Sequence, residues 1–248
     1  MGSNYRNTSE SANILKDQGT ISKETAKVFG AKKNRKVEVP SIGRRGDPIF
    51  QFILIDSSGS MQVCKQGVIN SQPIMIDALR ESSACKRKRL SVGQYLFNST
   101  SQQLHSVTQL STDKSDHVVL LDSTNYHPAG STALYSTVFK MLQDILVIID
   151  STNDQGVFAR FGIAVITDGE DNEGGAKPKD IQRFLQELEA NEHLINSVVV
   201  GLLNDRLSSN KLEDIKNTLG FKDAIPCGQN SPKEIRRAFV LASQSTVK

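Results

Sequence analysis

From Pro48 onward, short apolar runs alternate with segments whose apolar positions recur every three or four residues. A short, nearly continuous apolar run is typical of a β-strand covered on both faces of a sheet. The pattern predicts strands at 49–56, 90–98, 103–109, 161–167, 195–202 and 224–226. Most of these runs lack the polar alternation of a half-exposed strand, so a sheet buried on both sides is expected.

Helices are predicted between these strands. The stretch 133–150 has an apolar stripe at Leu134, Val138, Met141, Leu142, Ile145 and Ile149, which is helical spacing. A helix over 73–85 begins with Pro73 in its first turn, and further helices are expected from about 181, near 211–218 and from Ser231-Pro232-Lys233-Glu234, a capping box. Alternating strands and helices predict an α/β fold, a Rossmann-like, doubly wound and mostly parallel sheet flanked by helices.

The first 46 residues differ from the rest of the chain. They are polar and rich in Ser, Asn, Lys and Arg, with one predicted helix at 22–30, N-capped by Ser22, and a short edge strand at 37–40. They could form a flexible tail, an interaction arm or an extension packed on the domain, and their low hydrophobicity favours partial disorder. We therefore expect two parts, a polar, basic N-terminal arm at 1–46 and an α/β domain at 47–248.

Composition narrows the functional classes. The 248 residues are 38% hydrophobic with a formal net charge of +3, and the positive balance lies in the N-terminal arm, so no direct nucleic-acid binding is expected of the domain. No run approaches the roughly 20 apolar residues of a membrane span, and no signal-peptide core is visible, which predicts a cytoplasmic protein without membrane contact. Three widely spaced cysteines predict free thiols rather than disulfides or a zinc site.

Oxygen-bearing side chains follow two of the predicted strands and one loop. Asp56, Ser58 and Ser60 follow the first strand, Thr132 lies in Gly-Ser-Thr-Ala-Leu before the long helix, and Asp168 follows the strand at 161–167. In parallel α/β sheets the functional crevice lies at the carboxyl ends of the strands. A small hard cation takes such oxygen ligands. The alternative is that these residues are helix caps and turns, where Ser, Thr and Asp are common.

These five residues resemble the metal-ion-dependent adhesion site of von Willebrand factor A domains, and the resemblance covers about residues 48 to 245. The sequence is similar to the intracellular bacterial members of this family, including the tellurium-resistance type. The resemblance implies Mg²⁺, with Mn²⁺ as an alternative, held by Ser58, Ser60 and Thr132, with Asp56 and Asp168 acting directly or through water. It also implies an open position for an acidic side chain of a protein partner, such as an AAA+ ATPase or another subunit of a stress or defence assembly.

Other polar residues close to these segments leave alternatives open. Glu170, Asp171 and Glu173 follow Asp168 and could support a second cation, face a basic partner, or form a solvated acidic loop. His127 is either at the rim of the site or an ordinary loop histidine. The basic run at 86–89 either binds anions or is a solvated helix end.

Motifs for catalysis are missing from the sequence. It contains neither G-x-x-x-x-G-K-[ST] nor a G-x-G-x-x-G after the first strand, and neither G-x-S-x-G nor H-E-x-x-H. Ser58 stands where a phosphotransferase of the haloacid dehalogenase type needs a second Asp. We therefore expect a metal-dependent protein-binding module that is not an enzyme. The alternatives are a metal-dependent phosphatase or phosphodiesterase, and a scaffold subunit whose metal is only structural.

Overall fold

The computed structural model describes residues 5–31, 35–38, 46–87, 89–228 and 231–244. Eight strands are found in these residues. They are β1 (Tyr5–Asn7), β2 (Lys36–Glu38), β3 (Ile49–Asp56), β4 (Leu90–Phe97), β5 (Ser101–Gln109), β6 (Arg160–Thr167), β7 (Leu194–Leu203) and β8 (Asp223–Gly228). The helices are α1 (Thr8–Asp17), α2 (Lys23–Ala31), α3 (Lys65–Arg80), α4 (Ser83–Lys86), α5 (Leu134–Asp154), α6 (Pro178–Ala190), α7 (Ser209–Leu219) and α8 (Pro232–Gln244), with a 3-10 helix at Gly59–Cys64.

Six strands form one sheet in the order β5-β4-β3-β6-β7-β8. All neighbours are parallel except β4 and β5, which form an antiparallel pair at one edge. Strand β3 is central and buried along its whole length, as its uninterrupted apolar run predicts. Ile55 pairs with Ile166 of β6, so the residues that follow β3 and β6 emerge at the same edge of the sheet.

Helices cover both faces of the sheet and enclose two apolar clusters. One cluster lies beneath α5, α6 and α7 together with α1 and α2, and the other lies beneath α3, α4 and α8. Helix α5 is buried over most of its length, in agreement with its apolar stripe. The predicted Rossmann-like α/β architecture is confirmed, and all six predicted strands of the main sheet are present.

Helix α3 begins eight residues before the predicted start, and Pro73 lies inside it rather than in its first turn. The prediction of a helix over 73–85 is wrong at both ends, because the chain turns after Arg80 before the short α4. A Cβ on Gly67 would lie 2.7 Å from the Cδ1 atom of Ile235 in α8. Glycine therefore permits close packing of α3 on α8, and this tertiary contact outweighs the low helix propensity of Gly and Pro.

The N-terminal segment 5–31 is folded against the domain. The low hydrophobicity of this segment, by contrast, favours disorder. Ser22 caps α2 through a 3.1 Å bond from the backbone N–H of Thr25, as predicted, whereas α1 was not predicted. Arg6 and Ser11 each donate to one carboxylate oxygen of Asp150 in α5, both at 2.7 Å. These polar contacts add to those of the apolar residues of α1 and α2 that belong to the main core cluster.

The predicted edge strand at 37–40 is present only as β2. It pairs antiparallel with β1 in a separate two-stranded sheet, and Val39 and Pro40 lie outside the described residues. The three cysteines, Cys64, Cys85 and Cys227, are free and buried, as predicted. None of the helices in the described residues has the length and apolar character needed to cross a membrane.

Phe29 of α2 gives a direct test of how far the N-terminal segment belongs to the domain core. Its ring is fully buried and lies 4.3 Å from the ring centroid of Phe139 in α5. Replacing Phe29 with Ala should lower the free energy of unfolding by about 3–5 kcal/mol, the usual cost of removing a buried phenyl ring. Urea denaturation followed by circular dichroism measures this change.

The matched control is Tyr5→Ala, because Tyr5 lies in the same segment but is 55% exposed. Its substitution should change the free energy of unfolding by less than about 0.5 kcal/mol. A loss for Phe29→Ala as small as that of the control would mean that residues 5–31 do not share the cooperative core.

Candidate functional site

Asp56 ends β3 and is completely buried. One carboxylate oxygen accepts the backbone N–H of Ser58 at 2.7 Å, and the other accepts the hydroxyl of Thr167 at 2.6 Å. The phenol of Tyr126 donates to the backbone carbonyl of Asp56 at 2.6 Å. The direction of this carboxylate is therefore fixed by its own loop and by β6, and the loop before α5 fixes the backbone of the same residue.

Ser58 and Ser60 connect Asp56 to Asp168, since Ser58 donates its backbone N–H to Asp56. The two Oγ atoms lie 3.2 Å apart, and Ser60 donates to a carboxylate oxygen of Asp168 at 2.7 Å. Asp168 follows β6 directly and is 1% exposed. Four of the five residues singled out in the sequence thus form one continuous hydrogen-bonded group at the carboxyl ends of β3 and β6.

Thr132, the fifth residue, lies in a loop that is bonded to the same segment. The backbone N–H of Ala129 donates to the carbonyl of Ser57 at 2.8 Å, and that of Gly59 donates to the carbonyl of Gly130 at 2.9 Å. Gly130 has φ of +78°, a conformation that favours glycine. These backbone bonds hold the Thr132 loop beside Ser58 and Ser60.

The segment after Asp168 fixes the position of Thr132 from the other side. The backbone N–H of Thr132 donates to the side-chain oxygen of Asn172 at 2.7 Å, and its carbonyl accepts the Asn172 N–H at 2.9 Å. Asp171 accepts the N–H groups of Tyr135 and Gly174 at 3.0 and 2.8 Å. A carboxylate at the N-terminus of α5 is favourable because it satisfies free N–H groups there.

The electrostatics of the site are unusual because two buried carboxylates lie close enough to repel each other. Burial raises the pKa of Asp56 to about 6, although its hydrogen bonds from Thr167 and Ser58 oppose the shift. Burial also raises the pKa of Asp168, against the hydrogen bond from Ser60 and the attraction of Arg206. Among the described residues, no Lys, Arg or His forms an ion pair with either carboxylate.

The neighbouring acidic residues each have a partner. Glu170 lies 3.5 Å from the ammonium group of Lys211, Glu173 accepts the hydroxyl of Ser131, and Asp171 accepts the two backbone N–H groups given above. Within the described part of the chain, no cluster of three or more His, Cys, Asp or Glu side chains could hold a metal. These contacts do not favour a second cation here.

The other basic candidates contribute little to the site. The Nε2 atom of His127 lies 2.9 Å from the carbonyl of Thr124, as expected for an ordinary loop histidine. Lys86 and Arg87 are exposed at the end of α4, which fits a solvated helix end, and Lys88 lies outside the described residues.

Several residues that position the site were missed in the sequence. Asn204, which donates to the backbone carbonyl of Asp168 at 3.1 Å, follows β7 and could have been found because it ends the next parallel strand at the same edge. Thr167 could have been found in the same way, because it is a polar residue at the carboxyl end of β6, immediately before Asp168. Tyr126 and Asn172 lie in loops, and nothing in their spacing indicates a role.

Comparisons with known proteins find similarity in structure only. A scan against protein-family models finds no match, and no curated protein matches the sequence. A von Willebrand factor type A structure from Catenulispora acidiphila superposes with a TM-score of 0.52 and 16% identity over 81% of this chain and 43% of the other. This chain therefore spans less than half of that protein chain.

Two further structures come from pilus proteins. The PilB minor pilin from Streptococcus sanguinis matches with a TM-score of 0.53 and 11% identity over 88% of this chain and 67% of the other. The vWF domain of the type V pili tip protein Mfa5 from Porphyromonas gingivalis matches with a TM-score of 0.50 and 12% identity over 81% and 95%. At these identities the likeness concerns the fold, and the chain has the Rossmann-like α/β fold of von Willebrand factor A domains.

Proposed function

We propose that this chain binds a divalent cation through Asp56, Ser58, Ser60, Thr132 and Asp168, and that the cation docks a protein partner. The observation that carries the proposal is the pair of buried carboxylates, Asp56 and Asp168, with which no described Lys, Arg or His side chain forms an ion pair. An uncompensated buried charge costs several kcal/mol. A bound cation would offset that cost, and the same charges would attract it.

The donor set fits Mg²⁺, with Mn²⁺ as an alternative. Carboxylate and hydroxyl oxygens are hard ligands, and Mg²⁺ is commonly held by one or two carboxylates while keeping several waters. Ser58, Ser60 and Thr132 bring no charge, so two carboxylates at most neutralise the ion. Such an ion retains affinity for a further anionic oxygen, which suits an acidic side chain of a partner.

A protein partner is supported by the fold and by the surroundings of the site. The structures of similar fold include a minor pilin and the vWF domain of a pilus tip protein. The resemblance in sequence extends the proposal to an intracellular stress or defence assembly and to an AAA+ ATPase as a candidate partner. Glu170 and Glu173 at the rim favour a partner with basic residues around its acidic one, since like charges would repel.

A binding role is favoured over catalysis by the groups near the carboxylates. Cys64 is close enough for Asp168 and Asp56 to add to the burial that raises its thiol pKa to about 12. A buried thiol of this kind is a poor nucleophile at neutral pH. His127 is bonded to its own loop, so it is not held toward Asp56 or Asp168 as a general base would be.

Magnesium binding should be visible as thermal stabilisation. At a concentration 100 times the dissociation constant, a ligand bound only by the folded state adds about 2.7 kcal/mol to the free energy of unfolding. We expect Mg²⁺ to raise Tm of the wild type but not of Asp56→Asn, because the variant has lost one of two charges. Differential scanning calorimetry with and without chelator measures both, and titration calorimetry checks the heats.

The matched control is Asp214→Asn, which removes a charge from an exposed carboxylate in α7 and should respond to Mg²⁺ as the wild type does. In chelator, Asp56→Asn should be at least as stable as the wild type, because it buries no charge. Equal Mg²⁺ responses of wild type and Asp56→Asn would contradict the proposed ligand set.

Partner binding is tested by affinity capture from a lysate of the source organism. Proteins retained by the wild type with Mg²⁺, and lost both with chelator and with Asp56→Asn, would support docking through the ion. Retention that is indifferent to chelator would instead support a scaffold with a structural metal. Turnover of p-nitrophenyl phosphate that needs Mg²⁺ and disappears in Asp168→Asn would replace the binding role by the phosphatase alternative.

A further inference from the structure

A cavity of about 540 Å³ lies apart from the five residues of the candidate metal site. It is bounded by the N-terminal half of α5, by the start of β5, by Arg35 before β2 and by the loop that precedes α6. Pockets for small organic ligands usually measure roughly 300–1,000 Å³. Its size therefore suits a small molecule rather than a single ion.

The charges of the cavity are unequal. Arg35 forms an ion pair with the buried Asp144 at 2.9 Å and donates to the carbonyl of Lys140 at 2.9 Å, so its charge is balanced. Lys140 donates to the carbonyl of Ser101 at 2.9 Å, and its ammonium group lies 5.8 Å from the ring centroid of Tyr95. Among the described residues no carboxylate forms an ion pair with Lys140, which leaves one net positive charge at the cavity.

Apolar groups form another part of the wall. Phe139 is 8% exposed and Ala176 is half-buried, and both line the cavity. The hydroxyl of Ser136 also lines it while donating to the carbonyl of Gly174 at 2.8 Å. A wall with one unbalanced ammonium group, hydroxyl oxygens and apolar surface is suited to a ligand that has both an anionic and an apolar end.

We propose that this cavity binds a small organic anion, in which a carboxylate or phosphate monoester pairs with Lys140 and an apolar group packs on Phe139 and Ala176. Burial and the nearby charge of Arg35 lower the pKa of Lys140. An anion would offset the positive charge of Lys140. The bound molecule would contact the loop before α6 without contacting the five candidate metal ligands.

The test uses three probes with the same ring and different charge: phenyl phosphate, benzoate and benzyl alcohol. Each is titrated into the full ¹⁵N-labelled chain in chelator, so that no divalent cation contributes, and amide shifts of Gly175 and Ala176 are followed by NMR. A probe of about ten non-hydrogen atoms should bind with a dissociation constant on the order of millimolar. We expect saturable shifts with at least one anion and none with benzyl alcohol, and the two anions separate a phosphate ligand from a carboxylate.

Lys140→Gln should weaken anion binding by at least about tenfold, because it removes a charged hydrogen-bond donor. Lys179→Gln is the charge-matched control, since Lys179 is exposed in α6 and does not line the cavity, and it should bind as the wild type does. Ala176→Phe should weaken binding, because its ring would occupy the part of the cavity where the apolar group of the ligand packs. Amide dispersion in the NMR spectrum reports whether each variant is folded.

The proposal is overturned if neither anion gives saturable shifts even when its concentration is raised well above millimolar. It is also overturned if benzyl alcohol binds as tightly as the anions. It is equally overturned if Lys140→Gln keeps the wild-type affinity. If Ala176→Phe fails to fold, the Lys140→Gln variant alone tests the proposal.

Discussion

The parallel pairing of β3 with β6 is the constraint from which the candidate metal site follows. Ile55 pairs with Ile166, so the carboxylates after these strands leave the sheet at one edge and in neighbouring positions. Neither carboxylate reaches bulk water, because the loops after the strands and the loop before α5 cover them. Two negative charges are thereby brought together at a place where hydroxyl and backbone N–H groups are the nearest partners. Burial and mutual repulsion both oppose the ionised form of Asp56, so a cation at this edge would stabilise both carboxylates.

The loop 171–176 lies between the candidate metal site and the cavity beside Lys140. Asn172 holds the backbone of Thr132 on one side, whereas Gly175 and Ala176 form a wall of the anion cavity on the other. Gly175 has φ of +99°, a backbone conformation that favours glycine, and a Cβ there would lie 2.5 Å from the hydroxyl of Ser136 in α5. A molecule in the cavity would therefore contact the same short loop that positions a proposed metal ligand. Coupling between two sites requires a shared element with more than one arrangement, and this loop contacts residues of both sites.

The sequence predicts the sheet and most of the candidate metal site because both depend on local patterns. A strand buried on two faces must be apolar at every position, so β3 and β6 are visible without any knowledge of their neighbours. Asp56 and Asp168 end such runs, and the rule for parallel sheets then places them at one edge. Helix α1 and the first half of α3 escape prediction because their stability comes from distant residues. The side chain of Asp150 holds α1, and Ile235 of α8 packs on Gly67 of α3. Asn172 is invisible for the same reason, since its partner is 40 residues away.

The basic character of the N-terminal segment has an internal use. Arg6 pairs with Asp150 and with Asp154, and Arg35 pairs with Asp144, so part of the positive excess neutralises acidic groups of α5. Asp144 is so deeply buried that its pKa rises to about 7 despite the attraction of Arg35. Removing one partner of a buried ion pair typically costs 3–5 kcal/mol, on the order of a third of the stability of an ordinary domain. A domain that began at residue 47 would leave Asp144 and Asp150 without these cations. The polar composition that suggests a separate arm is therefore compatible with an integral part of the fold, because its basic residues pair with carboxylates of α5. The apolar stripe predicts the helix α5 but gives no indication of these ion pairs.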